Sequence, residues 1–154
     1  ANVTPSTHLR AAALLAAGVD GARVNRLLFD TKDRTQIRAE GLAQSRLRLF
    51  DGGRVAAIVI ENTDYTDGLA MSDFETAVDI ARSVRGVQIA IVIKGAPKAG
   101  VYRVSLRGNE GTPVSGIAAA FGGGGHLLAA GCTVEAESGD AALQMLLDEV
   151  EKKK

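Results

Sequence analysis

The sequence predicts an α/β protein, a mixed-sheet α/β sandwich of order β-α-β-β-α-β-α from Arg54 onward, preceded by a short all-helical segment. Three observations carry this. Val55-Ala56-Ala57-Ile58-Val59-Ile60 and Val87 to Ile93 are unbroken apolar runs of the length found in strands buried on both faces. Between them Phe74, Ala77, Val78, Ala81 and Val84 recur at helical spacing. Before them, from Thr4 to about Phe50, nothing alternates as a half-buried strand would.

In that first segment, Ala11 to Ala17 is a strong helix former closed by Gly18. Asp20 is placed to cap a second helix through Phe29, and Asp33 a third. These helices have few apolar partners of their own, which predicts that they pack against something else, a second copy of the chain included. Gly52-Gly53 breaks the pattern, and the first buried strand follows. Ser72 and Glu75 have the spacing of a capping box, and Gly86 ends the helix they open. Strand, helix and strand in succession then predict a right-handed crossover between parallel neighbours. After a loop from Lys94 to Gly100, period two over residues 101–107 sets Tyr102, Val104 and Leu106 on one face and Arg103, Ser105 and Arg107 on the other. Thr112-Pro113 opens a helix with Val114, Ile117, Ala118 and Phe121 inward. A helical turn is expected from His126 to Ala130, then a strand from Cys132 to Ala136. A closing helix from Ser138 to Val150 should bury Ala142, Met145, Leu146 and Val150, with the terminal lysines frayed.

The 154 residues are enough for one substantial core and too few for two full catalytic domains. Net charge is zero, which argues against a protein that grips duplex nucleic acid by bulk electrostatics. Any nucleic-acid contact must be local. Charge is in fact segregated: residues 23–54 and 94–107 lean basic, whereas 61–79 and 135–151 lean acidic. A single cysteine, Cys132, excludes an internal disulfide and has no neighbours at metal-ligand spacing. It reads as a small buried apolar residue. No apolar stretch is long enough to span a bilayer, and residues 1–10 lack the order of a secretory signal, so a cytoplasmic location is expected.

The unusual feature is Phe121-Gly122-Gly123-Gly124-Gly125-His126. Four glycines in a row carry a large entropic cost on folding. Either the chain needs positive φ for a tight connection, or side chains there would obstruct a ligand approaching the backbone amides. His126 at the first turn of a helix would favour the second reading, because free amides and the helix dipole attract anions. No Gly-Lys-Ser/Thr follows, and the dinucleotide fingerprint does not fit, so triphosphate chemistry is disfavoured. The strand face of Arg103, Ser105 and Arg107 supplies a guanidinium fork and a hydroxyl, groups that hold phosphate and ribose oxygens.

Val104-Ser105-Leu106-Arg107, the helix over Val114 to Phe121, the glycine tract with His126 and Ala129-Ala130-Gly131 together resemble the DHH-associated C-terminal domain of DHH-family phosphoesterases. The nanoRNase branch, which degrades very short RNA and dephosphorylates adenosine 3',5'-bisphosphate, is the most similar. The resemblance implies that residues 54–154 are the DHH-associated substrate-binding domain. Residues 1–50 would then be a helical remnant of the N-terminal catalytic domain plus a connecting helix, with Asn2 to Gly18 resembling that domain's end and Asp33 to Phe50 the connection. It further implies that Gly123, Gly124, Gly125 and His126 contact the terminal nucleotide, with Gly122 in the same motif, while Ser105 and Arg107 contact phosphate or base. Short single-stranded RNA or a phosphorylated nucleotide is the implied partner.

Catalysis in that family uses two divalent cations, usually manganese, held by the N-terminal domain. No Asp-His-His occurs here, Asp30-Thr31-Lys32 is only superficially similar to an Asp-Thr-Gly motif, and His8 stands alone. A two-metal site needs clustered carboxylates and imidazoles. The expectation is therefore a binding domain without metal, inactive by itself. Leu127 and Leu128 depart from the basic or polar residues common after the family's histidine. Cyclic dinucleotides are processed by another branch with the same terminal domain. Two different readings compete: an RNA-binding module similar to the C-terminal domain of alanyl-tRNA synthetase, and a small-molecule regulatory domain in which the glycines are only a turn.

Overall fold

A computed structural model describes residues 3–109 and 111–153, and the chain divides into two units, Ala1–Asp33 and Arg34–Lys154. Asn2 and Lys154, at the ends of the expected domain remnant and lysine fray, lie outside the described residues.

In the first unit α1 (Pro5–Ala16) starts behind Thr4, whose hydroxyl accepts from the Thr7 amide at 3.4 Å, and stops where Gly18 takes φ 92°. The α2 helix (Gly21–Asn25) is capped by Asp20, whose carboxylate accepts from the Arg23 amide at 2.9 Å, and widens into a π turn over Arg26–Asp30. The Gly18 stop and the Asp20 cap are the ones the sequence predicts. None of the residues in these helices is buried.

The second unit contains α3 (Arg34–Ser45), β1 (Arg48–Phe50), β2 (Val55–Ile60), α4 (Ala77–Arg82) and β3 (Ile89–Gly95). It continues with β4 (Val101–Gly108), α5 (Ser115–Ala120), β5 (Gly124–His126), β6 (Ala129–Glu135) and α6 (Gly139–Lys152). The strands form one mixed sheet in the order β1-β2-β3-β4-β6-β5. Only β2 and β3, joined through α4, are parallel; the other neighbours are antiparallel. The α/β sandwich is thus as predicted, with helices on both faces of the sheet.

Alternation along the strands sorts the core into two clusters. Val55, Ala57, Ile91, Ile93, Val104, Leu106 and Val134 face α5 and α6, where Ile117, Ala142, Leu146 and Val150 close over them. Ala56, Ile58, Ile60, Ala90 and Val92 face Ala39 and Ala43 of α3, Phe74, and Ala77, Val78 and Ala81 of α4. Both clusters bury β2 and β3, which is why these strands read as continuous apolar runs.

Several expectations give way. Residues 48–50 form a strand where only helix was expected, and α3 packs against the sheet. The Ser72–Glu75 capping box is not made; Asp73 instead accepts from the Ala70 amide at 2.7 Å and closes a 3-10 turn over Met71–Phe74. Lys94 lies inside β3, not in the following loop. In α6, Leu143 is buried and Met145 is exposed, because the stripe runs through 142, 143, 146 and 150. Lys152 ends that helix, and Lys152 and Lys153 do not fray but pair with Glu149 at 3.5 and 3.2 Å. Their contacts, that with Lys153 first, hold the Glu149 carboxyl below its ordinary range.

Candidate functional site

The glycine tract is not followed by a helix. His126 pairs with Ala129, Gly125 with Ala130 and Gly124 with Gly131, so residues 124–135 form a β-hairpin turning at Leu127-Leu128. The carbonyls of Leu127 and Leu128 accept from the amides of Val114 and Gly108, which leaves the turn no helical hydrogen bonds to make. The expected anion site at a helix N-terminus therefore does not exist.

The four glycines have different reasons. Gly122, at φ 68°, ends α5: its amide reaches the Ala119 carbonyl at 3.0 Å and that of Gly123 the Ala118 carbonyl at 2.9 Å, a Schellman closure. A Cβ on Gly123 would collide with the Gly131 backbone oxygen and with Cys132. Gly125, at φ 146°, would strike the Ala129 carbonyl and Ala130. Gly124 alone of the four has neither positive φ nor any atom within 4 Å of where a Cβ would stand. The fold does not require glycine there.

Cross-strand register places Gly124 in a larger surface. On one face of the sheet, Gly124, Gly131 and Ser105 lie in one row; His126, Ala129 and Arg107 in a second; Thr133, Arg103 and Lys94 in a third. This is the face that α3 and α4 cover over β2 and β3. The cluster they bury takes no residue from β4, β6 or β5 among the described residues, so the remaining half of the face is bare. Adjacent strands stand about 4.8 Å apart, which sets His126 and Arg107 roughly 10 Å from each other.

Above this floor lies an open cleft of about 610 Å³. Met71, Glu75 and Lys94 form one wall, Phe121, Gly122 and Gly123 the other, and Arg103, Ser105, Gly131 and Thr133 the base. Of the residues singled out from sequence, the cleft gathers Arg103, Ser105, Gly122 and Gly123. Arg107, Gly124, Gly125 and His126 lie outside it, with Arg107, Gly124 and His126 continuing the same sheet face. Lys94, Glu75, Gly131 and Thr133 were not expected. A lysine closing a buried apolar run was the one available signal for Lys94.

The side chains of Arg103, Ser105, Thr133 and His126 have no hydrogen bond or ion pair within the described residues, whereas the Arg107 guanidinium donates only to the adjacent Leu106 carbonyl, at 3.0 Å. Several polar groups near the opposite end of the sheet are engaged. Tyr65 donates to the Gly95 carbonyl at 2.9 Å; burial first, then Asp64 and Glu61, pushes its phenol up to about 12. Tyr102 donates to Glu61 at 3.0 Å, and burial together with that bond raises its pKa. Burial likewise pushes the Cys132 thiol up, in accord with its reading as a buried apolar residue. A cavity of about 300 Å³ beside α5 and α6 is lined by two cations, Arg54 and Lys153, already paired with Asp51 and Glu149.

Residues 52–152 match the model of the DHHA1 domain. The chain belongs to the DHHA1 family. Over 151 residues this DHHA1 chain is 30% identical to the bifunctional oligoribonuclease and PAP phosphatase NrnA of Thermus thermophilus, an alignment covering 97% of the chain and 44% of that protein. The chain thus spans less than half the length of this relative. An exopolyphosphatase-related protein from Bacteroides fragilis has the same fold, with a TM-score of 0.85 at 22% identity over 97% of this chain and 44% of its own. The pGpG-specific phosphodiesterase PggH from Vibrio cholerae shares the fold more loosely, with a TM-score of 0.55 at 12% identity over 100% of this chain and 54% of its own.

Among the described residues of the DHHA1 chain, no group of three or more His, Cys, Asp and Glu side chains is placed to hold a metal ion. The donor set for a pair of divalent cations is not met by these residues. No helix is long and apolar enough to cross a membrane.

Proposed function

We propose that the bare sheet face binds the terminal nucleotide of a short oligoribonucleotide, or adenosine 3',5'-bisphosphate, as the substrate-binding half of a two-metal phosphoesterase. One observation carries the reading: the polar side chains without partners surround the only glycine of the tract that the fold itself leaves free. The flat row of Gly124 and Gly131 gives a nucleoside room to lie against main chain. Ser105 supplies a hydroxyl to ribose or phosphate oxygens, Arg107 a planar guanidinium, and His126 an imidazole at the edge. His126 binds and stabilises charge; it is not a nucleophile. The glycines position the ligand through amides and through the absence of side chains, not through a helix dipole.

Hydrolysis is left to two divalent cations, manganese by family resemblance, held by residues beyond this chain. The chain covers 44% of its Thermus relative, and that relative's name supports both the short-RNA and the bisphosphate alternatives. The protein acts in the cytoplasm, where such substrates arise.

Amide resonances of Gly122 to His126 followed during titration with adenosine monophosphate and a diadenylate test the reading. Shifts concentrated at Gly124 and His126 are expected, with His126→Ala weakening binding about tenfold, roughly 1.4 kcal/mol, and no turnover on adding manganese. Unmoved resonances would remove the reading. Tighter binding of transfer RNA than of the dinucleotide would replace it with an RNA-module function.

A further inference from the structure

On the other face of the sheet from the bare half, between α5 and α6, lies the cavity of about 300 Å³ that the function proposed above does not use. Its volume falls at the lower end of the about 300–1,000 Å³ of small-molecule sites. The bottom is apolar and buried: Val55 and Ile89 open the two parallel strands, Ile117 stands on α5 and Val150 on α6. The rim is polar. Gln88 and Thr112 are half-buried there, and among the described residues neither side chain has a hydrogen-bond partner. Arg54 and Lys153 stand at the mouth. Arg54 pairs with Asp51 at 2.6 Å, but Lys153 shares one carboxylate, that of Glu149, with Lys152, at 3.2 and 3.5 Å. Three cations thus face two carboxylates, which leaves the mouth a surplus positive charge. The Lys153 side chain runs back from α6 to α5, its Cε and Nζ 3.7 Å from where a Cβ on Gly116 would stand.

We infer that this cavity is a second ligand site, separate from the nucleotide face, which takes a compact organic monoanion: one carboxylate on a short hydrocarbon or single-ring body. The body fills the space over Val55, Ile89, Ile117 and Val150 and takes the water off apolar surface that no side chain covers. The carboxylate stays at the rim, where it accepts from the Thr112 hydroxyl and the Gln88 amide and neutralises the surplus charge of Arg54 and Lys153. Both parts of the ligand are needed. An anion without a body gains only a screened attraction, since the Arg54 and Lys153 side chains are 49% and 42% exposed. A body without a charge leaves the two donors unmet. The surplus is a single charge above an apolar floor, so a phosphate dianion fits this site poorly and the two faces of the sheet select different chemistry.

Amide-shift titration of the whole 154-residue chain with 3-phenylpropionate, with its neutral counterpart 3-phenylpropanol and with acetate tests this. For the phenylpropionate, shifts centred on Gln88, Ile89, Thr112 and Ile117 are expected, with Gly124 and His126 unmoved and a dissociation constant on the order of 1 mM. The alcohol and acetate should each bind at least about fivefold more weakly. Lys153→Met, on an exposed side chain, should weaken the phenylpropionate about threefold, and Glu149→Gln, which keeps the shape and removes the competing carboxylate, should strengthen it about threefold. Absence of shifts around the cavity, equal binding of acid and alcohol, or unchanged affinity in both variants would each overturn the site. So would a free chain that sediments as a dimer which the acid dissociates, because the cavity would then belong to a second copy. Adenosine monophosphate is expected to move Gly124 and His126 and to leave Gln88 and Ile117 still, so the function and this site stand or fall separately.

Discussion

The two units of this chain are written with similar residues but reach different ends. Residues 3–33 carry Leu9, Leu14, Leu15, Leu27, Leu28 and Phe29, all more than half exposed. From Arg34 onward, side chains of the same kinds fill two clusters on either side of a sheet. Caps and glycine stops operate in both units, so local rules do not separate them. What differs is long-range pairing: among the described residues the second unit has six strands whose order brings distant residues together, and the first has none. Helices as short as α1 and α2 are marginal in water unless an apolar face is covered. Folding free energy therefore resides in the sandwich.

The sharpest test of that contrast is a matched pair of truncations. Ile91→Ala, at a fully buried position, should destabilise the sandwich by about 2–5 kcal/mol, while Leu28→Ala should change global stability by less than about 0.5 kcal/mol in denaturant unfolding. Comparable losses at the two sites would dissolve the distinction. Next in size, Gly123→Ala should cost about 1–3 kcal/mol, because the added methyl meets β6 backbone. Gly124→Ala should leave the melting temperature almost unchanged and still weaken nucleotide binding. This second pair separates glycine required by the fold from glycine kept for a ligand.

A smaller effect is expected at alkaline pH. Tyr65 titrates near 12 in the fold against an ordinary value of 10.0, so the fold favours its neutral form. Stability from this group is full below pH 10 and is lost as pH rises from 10 to about 12. Tyr65→Phe should remove part of that alkaline slope and cost about 1 kcal/mol at neutral pH through the lost bond to the Gly95 carbonyl. Both tyrosines of the chain lie in the sandwich, and the helical unit should show no such limb in circular dichroism. Smallest of all, Asp20→Ala should lower the local helicity of α2 by about 1 kcal/mol, visible in amide exchange, and leave sandwich unfolding untouched.

The elements legible in the sequence are those with a period long enough to read. The apolar runs of β2 and β3, the alternation of β4 and the stripes of α4, α5 and α6 all exceed five residues. The two short edge strands are not legible. Arg48-Leu49-Phe50 is too short to show a period, and Gly124-Gly125-His126 has no side-chain pattern of a strand; both exist because a neighbour offers hydrogen bonds. The candidate site divides the same way. Arg103, Ser105 and Arg107 follow from period two on one strand. Gly131, Thr133, Lys94 and Glu75 join them only through cross-strand register and the packing of neighbouring elements, which no single segment encodes. The resemblance to the DHH-associated domain is carried by ordered motifs and holds, although the helical geometry expected for its glycines does not.

The buried Cys132 packs its Cα and Cβ against Gly123, where only a residue without a side chain can sit. Because Cys132 is buried yet borders the open cleft, its rate of alkylation reports how far that edge of the sheet opens. A molecule lodged on the bare strands would slow this reaction, and chemistry on one sulfur atom would then time the opening of the neighbouring surface without any label being introduced.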